Sequence, residues 1–122
     1  MSEKRWSYPD DSTGRVLALM AERGFQMDRA MKFDFHVAVP TEEAGKLVAE
    51  EAGARGYRAE VYDSPKCSLP WTCQCTRVMV PTYTAVVAAE QEVDEIGRRF
   101  GGFGDGFGSS GGVWWGGGHP DD

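Results

Sequence analysis

The order of the periodic segments between residues 32 and 100 constrains the fold of this chain most. The stretch KFDFHVAV, residues 32–39, alternates apolar and polar side chains, which predicts a β-strand that Pro40 ends. The stretches YRAEVYD, residues 57–63, and WTCQCTRVMV, residues 71–80, show the same period of two. Helical spacing of apolar residues follows the first and the third of these stretches. The predicted order is therefore strand, helix, strand, strand, helix.

Two long helices and one shorter helix accompany the strands. The long helices are predicted from Thr41 to Arg55 and from Thr82 to Phe100, because their apolar residues recur at three- and four-residue spacings. Thr41 is the predicted N-cap of the first. The predicted inner side of that helix consists of Ala44, Leu47, Val48 and Ala52. A shorter helix is predicted from Ser12 to Arg23, as an addition to the main pattern.

The glycine-rich stretch RRFGGFGDGFGSSGG, residues 98–112, follows the last predicted helix. A dinucleotide-binding loop needs its glycines between a strand and the start of a helix, and a P-loop needs a Gly-Lys-Ser/Thr sequence, so neither motif is present. We interpret the stretch as a helix exit and a final strand within Phe103–Trp115. A β-α-β-β-α-β order is the ferredoxin-like split βαβ arrangement. The predicted fold is α+β, with an antiparallel sheet, the two long helices on one face, and the extra N-terminal helix. The predicted boundaries are an arm at 1–11, one domain at 12–115 and a disordered tail at 116–122.

Composition limits the classes of function. The 122 residues are enough for one domain, and the net charge of −6 disfavours direct binding to nucleic acid, since phosphates would be repelled. Apolar runs are too short to span a membrane. The odd number of cysteines, three, disfavours a disulfide framework and fits a reducing compartment. The sequence therefore predicts a cytoplasmic protein that binds neither membranes nor nucleic acid directly.

Five side chains are candidates for enzymatic or metal chemistry. His36 lies two residues from Asp34 on the polar side of the first predicted strand, but no nucleophile is placed beside it by a readable motif. The cysteines, Cys67, Cys73 and Cys75, lack the paired spacing of a structural zinc site. We predict that Cys73 and Cys75 pack in the core and that Cys67 is exposed. A small metal-dependent enzyme using His36 and cysteines stays an alternative, and so does a small-molecule-sensing domain.

The order and spacing of several short pieces resemble the RraB family, the regulators of ribonuclease E activity of the B type. These pieces are the first strand with His36, the sequence GYRAEV from Gly56, and the sequence DGF from Asp105, where the family typically has tryptophan in place of Phe107. The resemblance implies an α+β, ferredoxin-like protein that binds the endonuclease ribonuclease E and inhibits its cleavage of RNA. It implies no catalysis and no cofactor, and it leaves the oligomeric state open.

Several acidic and aromatic residues are candidates for contact with a protein partner, because an acidic surface complements a basic, RNA-binding one. The candidate carboxylates on the two long helices are Glu42, Glu43, Glu50, Glu51, Glu90, Glu92, Asp94 and Glu95. Asp105 and Phe107 belong to either a binding turn or a structural one. Trp114 and Trp115 either anchor a partner or cover a face of the sheet.

Overall fold

A computed structural model describes residues 8–65 and 67–109. It contains three helices and four strands within these ranges. In chain order they are α1 Ser12–Glu22, β1 Met31–Val39, α2 Glu42–Ala54, β2 Arg58–Asp63, β3 Trp71–Met79, α3 Tyr83–Arg99 and β4 Phe103–Ser109. The three predicted helices and the three predicted alternating strands are all present, and each boundary lies within a few residues of its prediction.

The four strands form one antiparallel sheet in the order β2-β3-β1-β4. Because β1 and β2 both run antiparallel to β3, they are parallel to each other with β3 between them. The same holds for β3 and β4 on either side of β1. The predicted α+β class and antiparallel sheet are confirmed. The final strand is present as Phe103–Ser109, whereas its predicted continuation to Trp115 lies outside the described residues, as do residues 1–7 of the arm and the tail at 116–122.

Side-chain caps begin all three helices. Asp11, Thr41 and Thr82 each accept a hydrogen bond from the backbone N–H three residues later, at 2.7, 3.0 and 3.1 Å. These bonds satisfy N–H groups that have no partner inside the helix. At the other end of α3, Gly101 has a φ of 87°, a conformation that glycine adopts without steric cost. The first part of the glycine-rich stretch is therefore a helix C-terminus, as the sequence predicts.

The core lies between the sheet and the helices. Phe33, Phe35, Val37 and Val39 of β1 are completely buried, which is the result that their period of two predicts. Val48 and Ala52 of α2, Val86, Val93 and Ile96 of α3, and Leu17 and Met20 of α1 belong to the same buried cluster. Helix α2 contacts β2 and β3, α3 contacts β1 and β4, and α1 packs against α3.

Candidate protein-binding surface

Three of the predicted carboxylates lie on the exposed side of α2. Glu42, Glu43 and Glu50 are all exposed. Glu42 has an exposed ion pair with Lys46 at 3.9 Å, which contributes little in water. No ion pair or side-chain hydrogen bond joins Glu43 or Glu50 to another residue in the described ranges. These two carboxylates are therefore available to a partner.

An exposed leucine lies between them. Leu47 is 44% exposed and lines a shallow groove together with Glu43, Glu50 and Phe100. Phe100 is half-buried at the end of α3 and packs its inner part against the core. We call Glu43, Leu47, Glu50 and Phe100 the α2 surface. The rim of the groove also includes Lys46, which pairs with Glu42, so within the described residues the rim carries two unpaired carboxylates and one paired ammonium group. An apolar centre within a charged rim is typical of protein-binding surfaces.

The prediction that Leu47 belongs to the inner side of α2 was wrong. The residues of that helix that are buried are Ala44, Gly45, Val48 and Ala52. Successive residues of an α-helix are about 100° apart, so Leu47 lies about 100° from Val48 and on the far side from Gly45. Leu47 lies three residues after Ala44, so spacing alone assigns it to the buried side of the helix. The buried residues, however, cover the arc of the helix surface that runs from Ala44 to Gly45, and Leu47 lies outside this arc. Leu47 is a surface residue for this reason, although its spacing from Ala44 matches that of the buried residues.

Two further candidate carboxylates are held by arginines within the molecule. Glu51 accepts from Arg55 at 3.1 Å and lies 3.7 Å from Arg99. Glu92 lies 3.2 Å from Arg55 and 3.8 Å from Arg77. Because Arg55 contacts both carboxylates, this network joins α2 to α3. Their charge is already compensated inside the fold, so they are less available to a partner than Glu43 and Glu50.

Tyr57 completes this network. Its hydroxyl donates a hydrogen bond to Glu92 at 2.9 Å, and the guanidinium of Arg77 lies 5.1 Å from the centre of its ring. Burial, more than the neighbouring Glu92, raises the pKa of Tyr57 to about 12. The phenol therefore stays protonated at neutral pH and remains a donor to Glu92.

Asp94 connects α3 to β4. It accepts the backbone N–H of Gly104 at 2.7 Å and the side chain of Arg98 at 2.8 Å. Partial burial alone would raise the pKa of Asp94, but the two hydrogen bonds together outweigh burial and lower this pKa. Its carboxylate thus fixes the first part of the glycine-rich strand. Glu95, one residue later, is exposed.

Glu90 connects α3 to α1. Thr13 donates a hydrogen bond to Glu90, and Tyr83 donates one to Asp11, the N-cap of α1. Burial is the main cause that raises the pKa of Glu90, and the charge of Asp11 adds to it. Glu90 therefore makes a contact within the fold, and its surroundings disfavour the ionised form of its carboxyl group.

The Glu90→Gln variant is expected to be more stable than the wild type at neutral pH. A carboxyl group whose pKa is higher in the folded than in the unfolded state favours folding as pH falls, and this contribution is lost as pH rises through the folded pKa. Glutamine keeps an acceptor for Thr13 and removes the charge. We expect a gain below about 1 kcal/mol, because Glu90 is partly exposed and screened. The difference should vanish below about pH 4.5, the ordinary pKa of the group. Urea unfolding at several pH values measures it, and an unchanged pH dependence in the variant would contradict it.

The bulge of β4 carries two more candidates. Phe35 pairs with Phe107 and Val37 pairs with Gly104, so Asp105 and Gly106 together face the single residue His36. Asp105 is exposed at this bulge. Phe107 is half-buried, with its ring centre 5.9 Å from that of Phe35, and packs against the core. Trp114 and Trp115 lie outside the described residues.

The residues of the enzymatic alternative are not brought together. Cys73 and Cys75 are completely buried on the helix-facing side of β3, as predicted, with their sulfur atoms 3.9 Å apart. His36 pairs with Gln74, between the two cysteines, and so lies on the opposite face of the sheet. Asp34 accepts a hydrogen bond from Thr76 at 2.7 Å. Within residues 8–65 and 67–109 no three potential metal ligands are clustered.

The cysteines differ in their environments. Cys67 is exposed, as predicted. The hydrogen bond with Cys73, together with burial, raises the pKa of Cys75. Cys75 is therefore a protonated thiol at neutral pH, which is a packing group and not a nucleophile.

Comparison with known proteins assigns the chain to a family. No helix in the described part of the chain has both the length and the apolar character required to cross a bilayer. A search of curated proteins finds no match. The family model described as RraB, Regulator of ribonuclease activity B, matches residues 10–109, which include all seven helices and strands described above. This match covers most of the chain and agrees with the resemblance seen in its sequence, and the chain therefore belongs to the RraB family.

Proposed function

We propose that this chain is a non-catalytic regulator that binds a ribonuclease E-like endonuclease and lowers its cleavage of RNA in the cytoplasm. Membership of a family of ribonuclease regulators is the observation that carries this proposal. The split order of the strands, β2-β3-β1-β4, supports a ferredoxin-like classification of the fold. The separation of His36 from Cys73 and Cys75 supports a role without metal chemistry.

Charge supports the mode of binding. The chain has a net charge of −6, and the free carboxylates of Glu43 and Glu50 flank an exposed leucine. A ribonuclease binds RNA through basic surfaces, which attract such carboxylates and repel other acidic surfaces. We propose that the α2 surface binds next to or on such a basic region. Binding there hinders access of RNA or changes the assembly of the enzyme.

Internal pairing suggests an order of importance among the candidate carboxylates. We propose that Glu43 and Glu50 contribute most to binding, with Glu42, Glu95 and Asp105 as exposed secondary contacts. Glu51, Glu90, Glu92 and Asp94 contribute mainly by holding the helices in position, because they already accept bonds from neighbouring residues. Phe107 supports the bulge that presents Asp105. Trp114 and Trp115 stay predicted contacts.

Reversing the two free charges is expected to weaken binding to the host ribonuclease by about tenfold, which corresponds to about 1.4 kcal/mol. The variant is Glu43→Lys with Glu50→Lys, and its affinity is measured by titration at two salt concentrations. The wild type should lose affinity as salt rises, because salt screens the attraction between its carboxylates and the basic partner. The variant should lose less affinity as salt rises, because its lysines do not make this attraction.

A matched control separates this effect from net charge. Glu22→Lys with Glu60→Lys makes the same change in charge at two exposed positions away from the α2 surface. We expect this control to retain most of the wild-type affinity. Equal weakening in both double variants would contradict the proposed site, and absence of binding by the wild type would contradict the proposed function.

A further inference from the structure

The α2 surface has the spacing of a helix-packing seam. Glu43, Leu47 and Glu50 are separated by four and then three residues, so their side chains form one stripe along the exposed side of α2. The two carboxylates are seven residues apart, which is about 10.5 Å along a helix at about 1.5 Å per residue. Leu47 lies between them. The stripe therefore presents charge, apolar surface and charge in a line two turns long.

The apolar centre of the stripe is wider than one side chain. Phe100, from the end of α3, lies in the same groove as Leu47, and Ala44 and Ala49 also line it. An apolar side chain inserted there would contact α2 and the end of α3 together. Burial of such a side chain contributes to binding most at the centre of a contact, where the polar rim excludes water.

We propose that the α2 surface binds a helical segment of the partner that carries one apolar side chain midway between two basic side chains about two turns apart. The inference rests on the proposed function for the identity of the partner as a ribonuclease. The chemistry of the segment follows from the surface itself. The apolar side chain packs between Leu47 and Phe100, and the basic side chains pair with Glu43 and Glu50.

The charge and the spacing of the α2 surface favour a basic helical segment over nucleic acid or an extended strand. Lys46 lines the same groove, but Glu42 pairs with it, whereas Glu43 and Glu50 have no compensating partner in the described ranges. The net charge of this surface therefore repels the phosphates of nucleic acid. An extended strand has a period of two and rises about 3.3 Å per residue, so it meets the stripe at different intervals. A helix laid along α2 meets it at matching three- and four-residue intervals.

Two synthetic peptides of identical composition test the inference without the ribonuclease. Both are alanine-rich helices with a fluorescent label. In the first, a leucine lies between two lysines seven residues apart on one face, and in the second the same residues are distributed over different faces. The full chain is titrated into each, and fluorescence anisotropy gives the affinity. We expect the first peptide to bind at least about tenfold more tightly.

Substitution of one exposed leucine identifies the binding surface. Leu47→Gln should weaken binding of the first peptide by about tenfold, because it removes the apolar centre while keeping a residue of high helix propensity. Leu19→Gln is the matched control, since Leu19 is 37% exposed on α1, and it should leave the affinity unchanged. Circular dichroism establishes that both variants are folded.

The outcomes separate this inference from the proposed function. Equal affinities for the two peptides, no detectable binding of either, or equal effects of Leu47→Gln and Leu19→Gln would overturn the inference. If the host ribonuclease nevertheless binds the wild type and Leu47→Gln equally well, the proposed function stands and another surface is responsible. If the first peptide binds as expected and the ribonuclease does not, the α2 surface serves a different basic helical partner.

Discussion

Replacing Phe35 with alanine is expected to lower the free energy of unfolding by about 3–5 kcal/mol, the usual cost of removing a buried aromatic ring. Phe35 is completely buried at the centre of the sheet. Its ring lies 6.1 Å from that of Phe33, 5.9 Å from that of Phe107 and 6.3 Å from that of Tyr57. The variant loses the transfer energy of the ring and leaves a cavity that β1, held between two neighbouring strands, cannot close.

Phe103→Ala is the matched control for Phe35→Ala. Phe103 pairs with Ala38, so it lies on the other face of the sheet, and it is only half-buried. We expect it to cost about half as much or less, because less apolar surface returns to water. Urea unfolding of the three proteins measures the difference. Equal losses in the two variants would show that the core does not lie where we describe it.

Replacing Gly102 with alanine is expected to cost about 3 kcal/mol, the upper end of the usual range for overpacking. A Cβ atom at this position would lie 2.0 Å from the carbonyl oxygen of Ala38 and 3.0 Å from a methyl group of Val39. The nearest atom is backbone, so the clash is relieved only if β4 moves away from β1. The hydrogen bond from the N–H of Gly102 to the carbonyl of Gly97, at 2.8 Å, would then be strained as well.

Gly108→Ala provides the comparison, since Gly108 lies within β4 and Gly102 immediately precedes that strand. No described atom lies within 4 Å of a Cβ at Gly108. Alanine there is expected to change stability by less than about 1 kcal/mol, and in the favourable direction, because it restricts the unfolded chain. Thermal unfolding of both variants and of the wild type measures these differences in stability. If Gly102→Ala were as stable as Gly108→Ala, the close approach of β4 to β1 would be contradicted.

Local patterns predicted the parts of this fold that depend on neighbours in sequence. The alternation from Lys32 to Val39 defines β1, and the Thr41 cap defines the start of α2, because a strand face and a helix start are both local properties. The end of α3 followed the same rule, since Gly101 alone in that turn needs a positive φ. The final strand was predicted from topology instead, because its glycines give no period to read.

Which carboxylates of the candidate site are free depends on contacts between residues that are distant in the sequence. Glu92 and Glu43 are both glutamates on predicted helices, and the sequence gives no reason to separate them. In the folded chain Glu92 meets Arg55, which is 37 residues away, whereas Glu43 has no described partner. Ion pairs between residues so far apart in the sequence depend on how α2 and α3 pack together. Local sequence patterns do not predict this packing. The spacing of Leu47 predicts that it is buried, but the side of a helix that is buried is an arc of its surface, and Leu47 lies outside that arc.

The proposed inhibition is measured as the rate of RNA cleavage by the host ribonuclease E-like enzyme in the presence of increasing amounts of this chain. We expect cleavage to slow until it reaches a plateau, and we expect the Glu43→Lys, Glu50→Lys variant to reach that plateau only at higher concentration. The chain alone should leave the RNA intact. A cleavage rate that stays constant up to a large excess of the chain, or cleavage of the RNA by the chain itself, would contradict the proposed function.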